Sequence, residues 1–452
     1  MNKFRFLTAG ESHGKCLTAI IEGVPAGFEI NIDLINKDLK RRQQGYGRGE
    51  RMNIENDTVE ITSGVRFGKT LGSPITLVIQ NKDYENWQKI MSVYPEDFTD
   101  EKSFTKCRPG HADYAGSIKY NQKDLRNILE RSSARKTAIE TAVGSFAKQI
   151  LEKFDIKCSS KILQIGTTSP QPSPNIGEGA VVGEQNANLT NAGEASYKLN
   201  ETSPLLQQFT AGEGAVVGEQ NANLTNAGEA SYKLNETSPL LQQFTAGEGA
   251  VVGEQNANLT NAGEVKAEID RIKELGDTIG GKFEVIFEKV PVGLGSYVHW
   301  DRMLDGKIAQ SVMSIPAVKS VEIGQNPLGF LGSNYHDEMF IQDEKIIHKT
   351  NNAGGIEGGM SNGEPIVVRA VMKPISTMKK PLNTVDLATM QEDIAHFERS
   401  DTCAVEACCV VAEARIATVL ADEILEKFGG DSFEEIMKNF KNNKQKIKFS
   451  YF

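Results

Sequence analysis

Apolar positions along this chain fall into two rhythms. Short runs at Phe4 to Leu7, Leu17 to Val24, Val59 to Val65, Ile75 to Ile79 and Ile162 to Ile165 predict strands bounded by turn residues. Phe283, Val285 and Phe287 alternate as in a half-buried strand, and Val321 to Ile323 and Ile366 to Met372 add two more. Helical spacing governs Ile32 to Arg42, with Leu34, Ile35 and Leu39 on its apolar side, and Val265 to Leu275, which Gly276 would stop. It returns around Lys307 to Ser314 and through the long apolar stretch from Ala404 to Phe428. A further helix is predicted to open at Arg131 and run to Leu151. In it Ala134, Ala138, Ala142, Phe146 and Ile150 recur every four residues, so small side chains form one stripe that another backbone can approach.

Between Ile165 and Val265 the pattern fails. Ser169 to Pro174 is proline-rich. Beyond it Gly177 to Ala211 is copied unchanged as Gly212 to Ala246, a period of 212 minus 177, or 35 residues, and its first part returns as Gly247 to Glu264. Solenoid units of that length diverge on their surfaces while keeping a core. Identity at every position points instead to recent duplication. Each copy is mostly Gly, Asn, Ala, Glu and Gln, with Leu205, Leu206 and Phe209 as its densest apolar patch, too little to fold independently. Lengthening a surface loop costs only about 0.6 kcal/mol per doubling. Residues 169–264 are therefore expected to be an inserted, largely disordered arm on a single domain made of residues 1–168 and 265–452.

Composition changes the picture where it isolates arginines. Of 452 residues, 24% are charged and the net charge is -10, which argues against a nucleic-acid surface or a polybasic membrane anchor. Knots of arginine then stand out as anion sites: Arg41, Arg42, Arg48 and Arg51, then Arg131 and Arg135, with Arg108 and Arg399 as single cases. The six cysteines make no CxxC spacing and predict no metal site. Met1 to Gly14 lacks an apolar signal core and no uninterrupted apolar stretch would span a bilayer, so cytoplasm is the expected location.

Chemistry is concentrated in the turns. Thr8 to Gly14 presents Ser12 and His13 beside glycine, where the imidazole is either solvated or able to reach a ligand. Arg41 to Arg51 interleaves arginine with Gly45, Gly47 and Gly49, a pliable basic loop suited to phosphate or carboxylate, or else a solvated turn. Arg131, Ser132, Ser133 and Arg135 place guanidinium groups and hydroxyls at a predicted helix start, where a serine could equally be only a cap. Gly354, Gly355, Gly358 and Gly359 form a loop for close backbone approach, without the context of a dinucleotide fingerprint. Lys373 to Thr377 offers an ammonium and two hydroxyls, and Arg399 and Asp401 stand at a helix mouth as a cap, salt bridge or site.

Taken in order, Gly10 to Gly14, Arg41-Arg42 with Gly45 and Arg48, Arg108 to Asp113, Arg131 to Arg135, Asn352 to Gly359, Lys373-Pro374 and Arg399 to Asp401 resemble chorismate synthase. The resemblance runs from Phe4 to about Lys427, the arm excepted. It implies an α+β fold with helices sandwiched between antiparallel β-sheets, assembled as a homotetramer. The implied activity is that of a shikimate-pathway lyase serving aromatic amino acid biosynthesis. It would convert 5-enolpyruvylshikimate 3-phosphate to chorismate by 1,4-anti elimination of phosphate. The family requires reduced FMN without net redox change, and a transient electron from the flavin helps expel the phosphate.

The same resemblance implies roles for individual residues. His111 would protonate the departing phosphate and His13 would protonate or neutralise the reduced flavin. Asp401 would accept a proton near flavin N5, with Ser12 and Ser133 as relays. Flavin contacts would come from Arg131, Ser132, Ser133, Pro316, Ala317, Gly358, Lys373, Pro374, Ile375, Ser376, Thr377 and Arg399. Arg42 and Arg48 match positions assigned to NADPH as reductant, and the substrate's own anions have an equal claim. The chain departs from many members at Asn352 and Ser400, which replace histidine, at Pro316, which replaces asparagine, and at Lys136, which replaces glutamate. Both proton donors are retained, so the competing reading, a catalytically impaired flavin- or anion-binding homologue disabled by the arm, rests on those departures and the insertion alone.

Overall fold

Alternation of side chains builds the first of two sheets. In the computed structural model, which describes residues 3–49, 56–166, 262–342, 345–398 and 400–449, strands Arg5–Ala9, Cys16–Glu22, Ile75–Gln80 and Val59–Ser63 lie side by side, all antiparallel. Leu17 faces Ile79, Ala19 faces Leu77 and Ile21 faces Ile75 across the ladder, and all six are fully buried. One face of the sheet is thus a continuous apolar surface.

The second sheet repeats this logic with strands Lys157–Ile165, Gly281–Glu288, Ile366–Met372 and Val318–Ile323, again antiparallel. Phe283 pairs with Ala370, Val285 with Val368 and Phe287 with Ile366, all buried. Between the sheets lie two helices. Thr137–Glu152 rests on the first sheet and Val405–Phe428 on the second, and the two pack along each other. Both bury residues on every side, which suits a middle layer. The expected α+β sandwich is the observed architecture. Among the described residues no helix is long and apolar enough to cross a membrane.

The small-residue stripe predicts close helix contact, and the structure moves the point of contact. Ala138, Ala142, Phe146 and Ile150 are buried, but the nearest approach falls at Gly144, where an added Cβ would sit 2.2 Å from the Cβ and 2.5 Å from the carbonyl oxygen of Ala414. Gly144→Ala is therefore expected to lower the thermal midpoint, costing about 1–3 kcal/mol in overpacking against a gain of about 1 kcal/mol in helix propensity. An unchanged midpoint would show that the two helices can separate without penalty.

Two sequence expectations need correction. The helix expected to open at Arg131 is two helices, Arg126–Ser132 and Thr137–Glu152, joined through a 3₁₀ turn at Ala134–Lys136. Ser133 breaks it by turning extended and accepting the Arg135 N–H on its own hydroxyl, while Ser132 bonds back to the Ile128 carbonyl. The available helix N-terminus is consequently that of residues 134–137. The helix expected from Val265 begins at Ala262 and ends at Glu274. Apart from residues 262–264, the arm expected at 169–264 lies outside the described residues. The described residues on either side of it belong to one unit.

Candidate active site

Six separate polar stretches meet around a cavity of about 550 Å³. Ser12 and His13, Arg42 to Gly49, Arg108 to Ala112, Ser132 to Thr137, Lys373 to Thr377 and the Ser400–Asp401 segment contribute its polar wall. Leu129, Ile315, Met372, Ala404 and Val411 contribute an apolar one.

His13 is held rather than solvated. Its Nδ1 lies 2.8 Å from Glu130 Oε1, its backbone N–H donates to Glu130 Oε2 at 2.8 Å, and its ring stacks on Trp87 at 4.0 Å. Next to it, the Ser12 N–H donates to the Glu130 carbonyl oxygen at 2.8 Å.

His111 is fixed in the same manner by a different acid. Its Nδ1 is 2.7 Å from Asp113 Oδ1, and Arg108 donates to both oxygens of that carboxylate at 2.8 Å. Burial, the largest influence on Asp113, would raise its pKa, but the hydrogen bonds from Arg108 and His111 outweigh it and hold the carboxyl well below the usual range. Asp113 Oδ1 at 2.7 Å and Arg108 Nη2 at 2.9 Å both occupy Nδ1, so Nε2 is the nitrogen left to exchange a proton. Gly110 makes the turn possible, with a φ of +76° and Lys373 Nζ donating to its carbonyl at 2.9 Å.

Beneath these lies a buried cluster of cations. Arg135 donates to both oxygens of Asp57 at 2.7 and 2.8 Å and also to Asn81. Arg42 binds Thr137 Oγ1 at 2.9 Å and the Ala134 carbonyl at 3.0 Å, while its Nη1 is 3.8 Å from Asp57 and has no hydrogen-bond partner. Burial, reinforced by Arg135 and Arg48 and opposed by Asp57, pulls its pKa down to about 10. A guanidinium keeps its proton at neutral pH. Such a shift therefore marks a cation short of negative charge. Across the cavity Arg48 pairs with Asp401 at 3.2 Å, and Asp401 Oδ1 accepts the Gly49 N–H at 2.6 Å.

Of the residues to which the resemblance gives a role, Ser12, His13, Arg42, Arg48, His111, Ser132, Ser133, Pro316, Ala317, Lys373, Ile375, Ser376, Thr377 and Asp401 all line this one cavity. Three do not. Arg131 turns away to bond the Thr8 and Gly10 carbonyls, and Gly358 and Pro374 are not among the lining residues. Arg41, an anion-site candidate from its arginine knot, binds Glu413 instead. Arg399 and Arg51 lie outside the described residues. Sequence reasoning did not single out Glu130, Asp57, Trp87 or Glu398, and it did not pair His111 with Asp113, although their spacing could have suggested it.

An α+β sandwich whose cavity joins two carboxylate-anchored imidazoles to buried arginines is built to move protons on an anionic substrate. The sequence model of the chorismate synthase family matches residues 4–425. The chorismate synthase of Syntrophotalea carbinolica is 47% identical over 445 residues, covering 97% of each chain, and that of Aquifex aeolicus is 45% identical over 450 residues, covering 98% of each. A solved structure, described as a crystal structure of chorismate synthase, aligns with a TM-score of 0.64 at 37% identity over 98% of both chains. These relatives set the protein among the carbon–oxygen lyases acting on phosphate. Within that class the chain belongs to the chorismate synthase family.

Proposed function

We propose that this chain converts 5-enolpyruvylshikimate 3-phosphate to chorismate by 1,4-anti elimination of phosphate, as a cytoplasmic shikimate-pathway enzyme of aromatic amino acid biosynthesis that requires reduced FMN. The observation that carries this reading is the convergence of His13 and His111, each anchored through Nδ1, on one arginine-lined cavity. A substrate with one phosphate and two carboxylates needs several cations in one place, and Arg42, Arg48, Lys136 and Lys373 border the space.

The residues present also fit FMN. Ser376 and Thr377 offer hydroxyls, and the apolar wall suits a flat ring. When bound, reduced FMN would supply the transient electron that helps the phosphate leave. The protein's part is to orient, to exclude water and to manage protons. His111 gives the departing phosphate a proton from Nε2, and His13 holds a second proton at the opposite nitrogen from Glu130. Asp401, positioned by Gly49 N–H and Arg48, is the proton acceptor on the flavin side, with Ser12 and Ser133 as relays. Arg42 and Arg48 serve the substrate's anions in this reading. Their other claimant, NADPH, is tested by following its consumption in the presence of flavin.

Assembly as a homotetramer belongs to the same proposal. The hairpin of Met339–Gln342 and Lys345–His348 exposes Met339, Phe340, Ile341 and Ile346, an apolar surface suited to a second subunit. Sedimentation would read the assembly.

The deciding experiment is anaerobic release of chorismate and phosphate from the substrate with chemically reduced FMN and no NADPH. Equal amounts of both products without net flavin oxidation are expected. Tight flavin binding without product would overturn the lyase reading in favour of a binding-only homologue.

A further inference from the structure

Three hydrogen bonds hang the Ser12–His13 turn from a single residue, Glu130. Its carbonyl oxygen accepts from Ser12 N–H, one carboxylate oxygen accepts from His13 N–H, and the other lies 2.8 Å from His13 Nδ1. Glu130 is buried and does not line the cavity. It therefore acts on the reaction only through what it holds.

Behind it stands Arg126, on the same helix one turn earlier. Arg126 Nη1 is 3.6 Å from Glu130 Oε1 and its Nη2 is 2.7 Å from Glu398 Oε1, while its guanidinium carbon lies over Trp87 at 5.3 Å and over Phe104 at 5.1 Å. Glu398, which does line the cavity, precedes the segment that bears Asp401. One arginine thus ties the support of His13 to the strand of chain leading to Asp401.

We infer that Glu130 is the positioning residue for His13, fixing its tautomer and its place against Trp87, and that the charge of Arg126 stands behind Glu130. A carboxylate at this spot has two acceptor oxygens for two donors, the His13 backbone N–H and Nδ1–H. An amide has one acceptor and one donor. In Glu130→Gln, once the amide oxygen accepts the backbone N–H, its NH₂ meets Nδ1 and stabilises the ring only when Nδ1 is unprotonated. The variant is isosteric, yet it inverts the tautomer and removes one of the two acceptors that hold the turn.

The charged groups facing the ring make this specific. Glu11 and Lys15 lie on the turn itself, Glu130 comes from the Arg126–Ser132 helix, and Arg126 and Lys102 reach the other partner of the stack, Trp87, with Lys102 Nζ 5.7 Å from its ring. Among the described residues, Glu130 has a carboxylate oxygen within hydrogen-bonding distance of the imidazole.

Trp87 supplies a readout that does not depend on turnover. An imidazolium stacked on an excited indole accepts an electron from it, so protonated His13 quenches Trp87. The chain has two tryptophans, and Trp300 is exposed, so Trp300→Phe leaves Trp87 as the reporter. In that background Trp87 emission at fixed pH reports the stack on His13. Glu130→Gln is expected to change its intensity, and Glu130→Asp should restore most of it by keeping two acceptor oxygens.

The kinetic arm rests on the lyase reading. There Glu130→Gln should lower kcat 10-fold to 100-fold with KM changed less than 3-fold, with Glu130→Asp intermediate. Variants whose thermal midpoint matches the parent but whose Trp87 emission and kcat do not change would overturn the inference. A wild-type chain without lyase activity would sink the proposed function and leave the fluorescence test of Glu130 intact.

Discussion

Replacing His111 by asparagine is expected to lower kcat by about 10²–10⁴-fold, the usual worth of a positioned general acid, while KM moves little. Asparagine keeps a polar group of similar reach but has no proton to give at neutral pH. Its neighbours stay as they are, because Asp113 is held independently by both nitrogens of Arg108 and by the Arg108 backbone N–H at 3.0 Å. Asp113→Asn should behave differently. It frees the imidazole to adopt the other tautomer and also leaves Arg108 buried without its counter-charge, so kcat and the thermal midpoint should both fall. The two substitutions act on one unit, so the double variant should be little slower than the worse single one. Steady-state kinetics under anaerobic conditions measure all three. Should His111→Asn retain activity within about fivefold, the general acid lies elsewhere in the cavity.

That contrast between His111 and His13 shows which parts of the site were legible in the sequence. The His111 partner is two residues away, so a spacing rule could suggest it. The His13 partner is 117 residues away, and the pairs Arg42 with Thr137 and Gly49 with Asp401 span 95 and 352 residues. No local pattern links such positions. Resemblance to a family could point to His13, Arg42 and Asp401 themselves, yet not to the buried acids that hold them, because Glu130 and Asp57 look like ordinary surface carboxylates in a chain of net charge -10.

The fold divides in a similar way. Ile366–Met372 was readable to the residue because its burial alternates strictly along the strand. The Asp113–Tyr120 helix went unseen because only Asp113 and Ser117 are buried in it, leaving no apolar stripe. Phe433–Phe449 does carry a stripe, Phe433, Ile436, Met437 and Phe440, packed on the core, but only over its first two turns before lysine and asparagine take over. The break at Ser133 was masked differently. The fourfold stripe begins only at Ala134 and marks no boundary before it, and the serine hydroxyl's competition for a backbone N–H interrupts the helix there. Tertiary choice among local options, rather than propensity, set each of these outcomes.

The largest loss of stability is expected at Glu413, on the long helix between the sheets. Its carboxylate accepts from Arg41 at 2.6 and 2.9 Å, from Lys148 at 3.0 Å and from Ser160 Oγ at 2.6 Å. Those partners come from the Ile32–Gln43 helix, the Thr137–Glu152 helix and the second sheet, so one side chain joins four elements in the middle of the fold. Glu413→Ala strands two buried cations with Asp38 as the remaining acid bonded to them. The expected cost is about 3–5 kcal/mol, or a fall in thermal midpoint of roughly 4–7 °C for a folded part of this size. The pH dependence gives an independent check. Burial raises the Glu413 pKa, but Lys148, Arg41 and Ser160 outweigh it and bring the carboxyl to about 2. A depressed folded value means that its stabilisation is fully present above the unfolded pKa of about 4.5 and is lost as pH falls towards about 2. The gap in stability between the parent and Glu413→Gln should therefore be constant near neutrality and close between those limits. A gap that does not change with pH would mean that shape, not charge, is what Glu413 contributes. Arg41 points into this hub while the adjacent Arg42 points into the cavity. Loosening the hub is accordingly expected to raise KM for the anionic substrate before it touches the proton-transfer groups, and the ratio of the two effects would measure how rigidly the buried ion pairs hold the site.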